Sequence, residues 1–278
     1  MKTILLTGAT SGIGYEAAIV LAREGHRVVM VGRDAQKTAR CVLEVQSKSG
    51  SQHVESLLGD FSSQQSIRAL AAAFRAKHDR LDVLINNAGA VFDTRSVTVD
   101  GIESTFATNH LGYFLLTNLL LDLLVKSAPA RIVVVASTGH FRGTMNFDDP
   151  GFDKGGYSIM GAYGRSKLGN VMMTRALAKR LEGKGVTVNA LHPGVVNTNI
   201  WEGAPRWAKP ILSFARSLFM ISPEEGAKTI TYLASSPDVE GKTGLYFEKN
   251  QPKTPAALAR DEALVEQLWQ RSAAMVGL

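Results

Sequence analysis

Short runs of β-branched and aliphatic residues alternate with stretches of helical periodicity down most of this chain. The runs Thr3–Thr7, Arg27–Val31, His53–Leu58, Val83–Asn86, Arg131–Ala136, Val186–Leu191 and Gly244–Phe247 read as strands. Between them apolar positions recur at helical spacing near residues 14–24, 35–48, 63–77, 101–125, 160–182 and 223–235. Strand then helix, repeated, predicts an α/β fold: a parallel sheet covered by helices on both faces. Several strands are nearly continuous in Val, Ile and Leu, as burial on both faces requires. Ligands in such sheets sit beyond the carboxyl ends of the strands. Two segments depart from the alternation. Residues 139–159 form a Gly/Asp/Phe-rich stretch long enough to predict a functional loop. Residues 199–221 carry Trp201, Trp207, Pro210, Ile211, Phe214, Leu218 and Phe219 at roughly helical spacing. Following the sixth strand, they read as a substrate lid; a helix packed on the core and an interfacial membrane helix are the alternatives. After Pro252 a loop leads to a helix at about 256–275.

Composition narrows this picture. With 278 residues, 45% of them apolar, the chain can bury a full core, and no repeat, linker or composition shift marks a second domain. No apolar run reaches the ~18 residues of a membrane span. The start, Met1-Lys2-Thr3-Ile4-Leu5-Leu6-Thr7-Gly8, reads as a strand that begins at once, not as a signal peptide. The lone Cys41 rules out an internal disulfide framework, so a reducing, cytoplasmic setting is expected. The net charge of +6 would suit a polyanion, but no Lys/Arg cluster exceeds two consecutive residues and no aromatic residues interleave with basic ones. Nucleic acid is therefore not an expected partner. No histidine has metal or triad spacing; His140 reads as a pocket or structural residue, and no metal site is expected.

The candidate chemistry follows the strands. Thr7-Gly8-Ala-Thr10-Ser11-Gly12-Ile13-Gly14 joins the first strand to the first helix. Its glycines permit a tight turn and close approach of backbone to phosphate, and the helix N-terminus behind them offers free N–H groups to a pyrophosphate. At the end of the second strand, Gly32 has no carboxylate for a ribose hydroxyl, and Arg33 can pair with a 2′-phosphate. NADP(H) is favoured over NAD(H) on this logic; Asp34 sits where a helix N-cap would, and a surface salt bridge is the alternative for Arg33. Asp60, next to Phe61, reads as a partner for an adenine amino group or as a cap. Asn86-Asn87-Ala88-Gly89 reads as a small-residue passage beside a cofactor or as a turn, and His192-Pro193-Gly194-Val195-Val196-Asn197-Thr198 is another loop at the carboxyl edge.

Tyr163 and Lys167 lie four residues apart, which on a helix stacks them on one face. An ammonium near a phenol favours the phenolate and lowers the tyrosine pKa, making it a general acid or base. Ser137, ending the fifth strand, can donate to a substrate oxygen or cap a turn. Asn109 sits inside a predicted helix, where asparagine is a poor former, so a kink is expected there.

Taken in order, Thr7-Gly8-x-x-x-Gly12-x-Gly14, Asn86-Asn87-Ala88-Gly89, Asn109, Ser137, Tyr163-x-x-x-Lys167 and Pro193-Gly194 closely resemble the short-chain dehydrogenase/reductase superfamily over about residues 1–250. Gly32-Arg33-Asp34, Asn109-His110-Leu111-Gly112 and the long Ser137–Tyr163 interval look most like its retinol-dehydrogenase-like branch. The resemblance implies a doubly wound, seven-stranded parallel Rossmann sheet in a single domain. Residues 1–250 would form the NADP-binding catalytic domain with its lid at 199–221, and residues 251–278 a helical extension of it. It implies NADP(H)-dependent interconversion of an apolar carbonyl compound and its alcohol. Ser137 would hold the carbonyl oxygen, Tyr163 would exchange the proton, and Lys167 would bind the nicotinamide ribose and lower the tyrosine pKa. Asn109 would position a water leading to Lys167. Expected cofactor contacts are Gly8, Thr10, Ser11, Gly12, Ile13, Gly14, Arg33, Asp60, Phe61, Asn87, Ala88, Gly89, Tyr163, Lys167, Pro193, Gly194, Val196 and Thr198. A homodimer or homotetramer would fit the family, and no membrane-spanning anchor is seen. The alternative is a non-catalytic NADP-binding regulatory protein on the same fold; a sugar-nucleotide epimerase would need a larger carboxyl-terminal domain.

Overall fold

Each central strand buries both of its faces, and the period of two along the chain decides which side chain enters which layer. Ile4 and Leu6 pack into one apolar layer and Leu5 into the other; Val133 and Val135 divide from Ile132 and Val134 in the same way. The computed structural model describes residues 1–194 and 221–278. The strands are β1 (Thr3–Thr7), β2 (Arg27–Gly32), β3 (Val54–Leu58), β4 (Val83–Asn86), β5 (Ala130–Val135), β6 (Val186–His192), β7 (Tyr246–Glu248) and β8 (Gln251–Lys253). The described helices are α1 (Gly12–Arg23), α2 (Ala35–Ser49), α3 (Gln64–Lys77), α4 (Ser104–Phe106), α5 (Gly112–Leu119), α6 (Leu121–Lys126), α7 (Ile159–Arg180), α8 (Pro223–Ser235) and α9 (Glu262–Met275). Residues of α1, α2 and α8 cover one face of the sheet, and those of α3, α5, α7 and α9 the other.

The strand order is β3-β2-β1-β4-β5-β6-β7-β8. Pairing is parallel from β3 through β7. The winding reverses between β1 and β4, and the reversal opens a crevice at their carboxyl ends. The sheet has eight strands where the resemblance implies seven. The eighth, Gln251–Lys253, runs antiparallel to β7 and is fully exposed. Lys249 and Asn250 turn the chain between them at φ 49° and 62°, the left-handed pair that a tight hairpin needs. Pro252 is tolerated because this is an edge strand. Three exposed residues around a proline carry no hydropathy signal, which is why this stretch reads as a loop in the sequence.

The helical stretch expected at 101–125 is interrupted. Between α4 and α5 the chain makes a π turn, Ala107–Leu111, which contains Asn109. The long 139–159 segment begins as a 3₁₀ turn, Thr138–Arg142, and is pinned from α7. Arg165 is buried there: its Nε donates to the Thr144 carbonyl at 3.2 Å and its Nη1 to those of Asp149 (2.9 Å) and Pro150 (2.7 Å). Its guanidinium also lies 3.7 Å from the centre of the Phe152 ring. The proposed lid and its aromatic residues lie outside the described residues, Ile221 apart.

The tail returns to the core. In α9, Val265 and Leu268 join the larger apolar cluster, and Trp269 packs edge-on against Phe114 at 4.7 Å. Arg180 of α7 meets Glu266 through two bonds of 2.7 and 2.8 Å. Replacing the buried Leu268 with Ala is expected to lower unfolding stability by about 3 kcal/mol. Urea denaturation of the two proteins checks this; a loss below about 1 kcal/mol would mean that α9 is not part of the cooperative core.

Candidate active site

The crevice between the two windings is held by a small set of backbone contacts. The Thr7 hydroxyl accepts from the N–H groups of Asn87 (2.8 Å) and Ala88 (3.0 Å) and donates to the Ile85 carbonyl (3.1 Å). The Asn87 amide donates back to the carbonyls of Thr7 (2.9 Å) and Gly8 (3.1 Å). Gly8 stands at φ 65°, and a Cβ on it would lie 2.7 Å from the Ala88 Cα, so only glycine fits. Gly12 also has positive φ, 58°, and Gly14 packs directly on the Gly8 carbonyl. Ser11, the N-cap of α1, makes no side-chain cap bond. The helix therefore turns its free N–H groups into the crevice, as a pyrophosphate requires.

At the end of β2, Asp34 caps α2 by accepting from the Lys37 N–H at 2.7 Å. Arg33 lines the cavity together with Lys37, a second cation that the sequence reading did not single out. The signal for it is positional: Lys37 occupies the first turn of α2, four residues beyond Arg33. Asp60 accepts from the Ser62 N–H (2.9 Å) and hydroxyl (2.7 Å), which makes it a turn cap that also lines the cavity. Phe61 is buried beneath Gly112 and meets Tyr113 edge-on.

Ser137 and Tyr163 face one another over the end of β5. The Ser137 Oγ accepts from the Gly139 N–H at 3.1 Å, and its hydroxyl is hydrogen-bonded to the Tyr163 phenol. Lys167 is buried; its Nζ donates to the Val135 carbonyl at 2.9 Å and lies 5.7 Å from the centre of the Tyr163 ring. Burial raises the pKa of Tyr163 above its ordinary value, and the Ser137 bond offsets part of that rise. This differs from the lowering expected from a neighbouring ammonium. The reason is that Lys167 is itself pushed down to about 7 by burial and is aimed at a carbonyl, so Ser137 is the group that stabilises the phenolate.

Asn109 is fully buried in the π turn. Its Oδ1 accepts from the Ala90 N–H (2.8 Å) and its Nδ2 donates to the Ala90 carbonyl (2.9 Å), so the side chain secures the loop after β4. Its own carbonyl accepts from Asn170 Nδ2 at 2.9 Å. His140 is structural: Nδ1 donates to the Ser137 carbonyl (2.6 Å) and Nε2 accepts from the Ala256 N–H (3.2 Å), while burial keeps the ring neutral.

Ser137, Tyr163 and Lys167 open with the glycine turn onto one cavity of about 830 Å³, which Asn109, His140 and Asp34 do not line. The phosphate turn, with Arg33 and Lys37, lies at one end; Ser137, Tyr163, Lys167, Pro193 and Gly194 line the other. Val91, Phe92, Phe141 and Met160 give the latter end an apolar wall, and Phe141 and Met160 are half exposed. None of these four stands out in the sequence, although Phe141 lies within the long loop that does and Met160 follows it directly. Val196 and Thr198 lie outside the described residues. Among the described residues no three His, Cys, Asp or Glu side chains form a metal cluster, and no helix is long and apolar enough to cross a membrane.

Comparison with known proteins places this geometry. A family model described as short chain dehydrogenase matches residues 2–209. Human retinol dehydrogenase 14 is 44% identical over 292 residues, spanning all of this chain and 87% of that protein. Human retinol dehydrogenase 13 is 40% identical over 281 residues, again across the whole chain and 85% of the relative. Among solved structures, a protein from Mycobacterium Paratuberculosis superposes with a TM-score of 0.81 at 31% identity, covering 100% of this chain and 94% of that one. The actinorhodin polyketide ketoreductase with NADPH superposes at 0.69 with 30% identity, covering 88% and 94%.

Buried His110 offers a test of this packing. Burial pushes its pKa from 6.5 down to about 4. Between those values the unfolded chain binds the proton that the folded chain refuses, so stability is complete above about pH 6.5 and falls as pH drops towards 4. His110→Asn is expected to show a shallower loss of stability than the parent between pH 6.5 and 4.5 in urea unfolding. Parallel curves would mean that the ring is solvated in the folded state.

Proposed function

Since the chain belongs to the short-chain dehydrogenase family, we propose that it is an NADP(H)-dependent oxidoreductase interconverting an apolar aldehyde or ketone and its alcohol. The observation that carries this reading is one cavity holding the glycine turn and two cations at one end and the Ser137–Tyr163 pair at the other. The turn fits a dinucleotide because Gly8 and Gly12, at φ 65° and 58°, make it tight and Ser11 leaves the first N–H groups of α1 uncapped for a pyrophosphate. The glycine turn, Arg33 and Lys37 would hold NADP(H), which when bound would supply or accept the hydride at the carbonyl carbon.

The chain's own residues do the rest. Ser137 donates a hydrogen bond to the carbonyl oxygen and polarises it, as positioned donors do for developing negative charge. Tyr163, kept protonated by its burial, gives its proton to that oxygen in reduction and recovers it in oxidation. Lys167, on the same face of α7, supplies positive charge towards the tyrosine and the ribose hydroxyls. Phe92, Phe141 and Met160 exclude water and favour an apolar substituent on the substrate. Arg33 and Lys37 fit a 2′-phosphate, whereas Asp34, the carboxylate that would select a free ribose hydroxyl, is engaged as a cap. The single, buried Cys41 supports a cytoplasmic setting.

An NADPH-consumption screen over apolar aldehydes and ketones, repeated with NADH, tests the reading. Tyr163→Phe is expected to cost at least about 10²-fold in kcat while NADPH binding, followed by fluorescence titration, survives. Near-normal turnover would remove the tyrosine from its role. Arg33→Ala and Lys37→Ala should each raise the KM for NADPH by about tenfold and leave NADH kinetics unchanged. Equal NADH and NADPH rates in the parent protein would contradict the cofactor assignment.

A further inference from the structure

On the far side of Lys167 from the cavity, a row of buried polar groups runs out to the C-terminal helix. Lys167 and Asn170 converge on one backbone oxygen: Lys167 Nζ lies 2.9 Å and Asn170 Nδ2 3.4 Å from the Val135 carbonyl. Asn170 Nδ2 also donates to the Asn109 carbonyl at 2.9 Å. Beyond it, Asn170 Oδ1 is 3.2 Å from His110 Nδ1, and His110 Nε2 is 2.9 Å from the Ser272 hydroxyl in α9. Asn109, His110, Asn170 and Ser272 have no exposed surface at all.

Donor and acceptor chemistry gives this row a direction. Carbonyls only accept, so the Asn170 nitrogen faces Asn109 and Val135 and its oxygen faces His110. That oxygen only accepts, so His110 carries its proton on Nδ1, and Nε2 takes the Ser272 proton. Every member is satisfied in one arrangement, which is the condition for a buried polar network to rigidify its surroundings. The approach is built into the backbone: a Cβ on Gly169 would lie 2.9 Å from His110 Nδ1. Phe106 and Phe114 flank the ring at 4.9 and 6.4 Å and keep water from it. Packing alone would be served as well by apolar residues of the same shape.

We propose that His110 and Asn170 are positioning residues for the reaction, holding the Asn109 and Val135 carbonyls so that Lys167 presents its ammonium to the cavity in one direction, with α9 completing the support through Ser272. This inference rests on the reading of Tyr163 and Lys167 as the proton-handling pair. The groups facing the lysine besides Asn170 are the rings of Tyr163 and Tyr113, each 5.7 Å from its nitrogen.

Asn170→Leu removes every bond of the amide at nearly constant volume, and Asn170→Ser is the smaller variant should the first not fold. Three readouts matter: kcat against KM, the pH profile of kcat, and the Lys167 titration by NMR of 13C-lysine-labelled protein without cofactor. In either variant kcat should fall about tenfold or more with substrate KM within about twofold. The pH midpoint and the lysine titration should each move by about half a unit or more. His110→Leu should behave likewise, and His110→Asn, whose amide nitrogen can stand in for Nδ1, should restore most of what His110→Leu loses. Unchanged kinetics and an unchanged lysine titration in the Asn170 variants, with only a lower melting temperature, would reduce the row to packing and overturn the proposal. So would a His110→Asn protein as impaired as His110→Leu. Near-normal turnover in Tyr163→Phe would instead sink the underlying reading, and the lysine titration would still report whether the row positions Lys167.

Discussion

The site depends on the contact between Thr7 and the turn after β4. At the reversal of a doubly wound sheet the chains leaving β1 and β4 diverge to opposite faces, and ligands bind in the crevice between them. Here the divergence is spanned by one hydroxyl and one amide: Thr7 accepts two N–H groups from the β4 turn, and Asn87 donates back to two carbonyls of the β1 turn. Both loops are thereby fixed relative to each other, and Gly8, at positive φ, has no room for a side chain beside Ala88. Asn109 extends the same frame by binding both backbone groups of Ala90. The cavity floor is thus a hydrogen-bonded unit made by residues that mostly do no chemistry.

α7 sets the electrostatics above that floor. Fourteen of its 22 residues are buried, among them Arg165, Lys167 and Asn170. Burying a cation is unfavourable unless acceptors surround it, and the helix manages its two cations differently. Arg165 is saturated by the carbonyls of the long loop, which it holds in place. Lys167 donates to the Val135 carbonyl and is drawn down to about 7 by burial. The cation with the incomplete shell is the one that faces the cavity, where further oxygen acceptors would find it.

The strands, the helix boundaries and the residues on carboxyl edges were legible in the sequence because both signals are local: hydropathy period, and glycine or small residues after a strand. Strands β1 and β4 match the predicted spans residue for residue, since short Val/Ile/Leu runs bounded by turns leave little choice. The exposed strand β8 was not legible because its side chains bury nothing, and the π turn showed only as a misplaced asparagine. Within the site, the choice between a cap and a ribose contact for Asp34 was open in sequence, because both readings place a carboxylate at the same spot. The structure shows the cap, through a 2.7 Å bond that Asp34 accepts from the Lys37 N–H. The rise in the tyrosine pKa had no local signal either, since desolvation is a property of everything packed around the phenol.

The C-terminal tail is where sequence distance misleads most. Read along the chain it trails behind the last parallel strand; in space it reaches the surroundings of Ser137 and Lys167 from two directions, each through buried intermediates. At its start, Ala256 donates to His140, which in turn binds the carbonyl of Ser137 and so steadies the turn whose hydroxyl meets Tyr163. Near its end, Ser272 reaches His110 and, through Asn170, the carbonyl that Lys167 also uses. Each histidine donates from Nδ1 and accepts at Nε2, and burial keeps both uncharged. Two neutral imidazoles thus carry directional hydrogen bonds inward from the tail without bringing another charge beside Lys167. A protonated His140 would turn its second proton on the Ala256 N–H, which cannot accept it, and a charge on either ring would add repulsion near the ammonium. The burial that suppresses protonation is therefore part of how the tail supports the site.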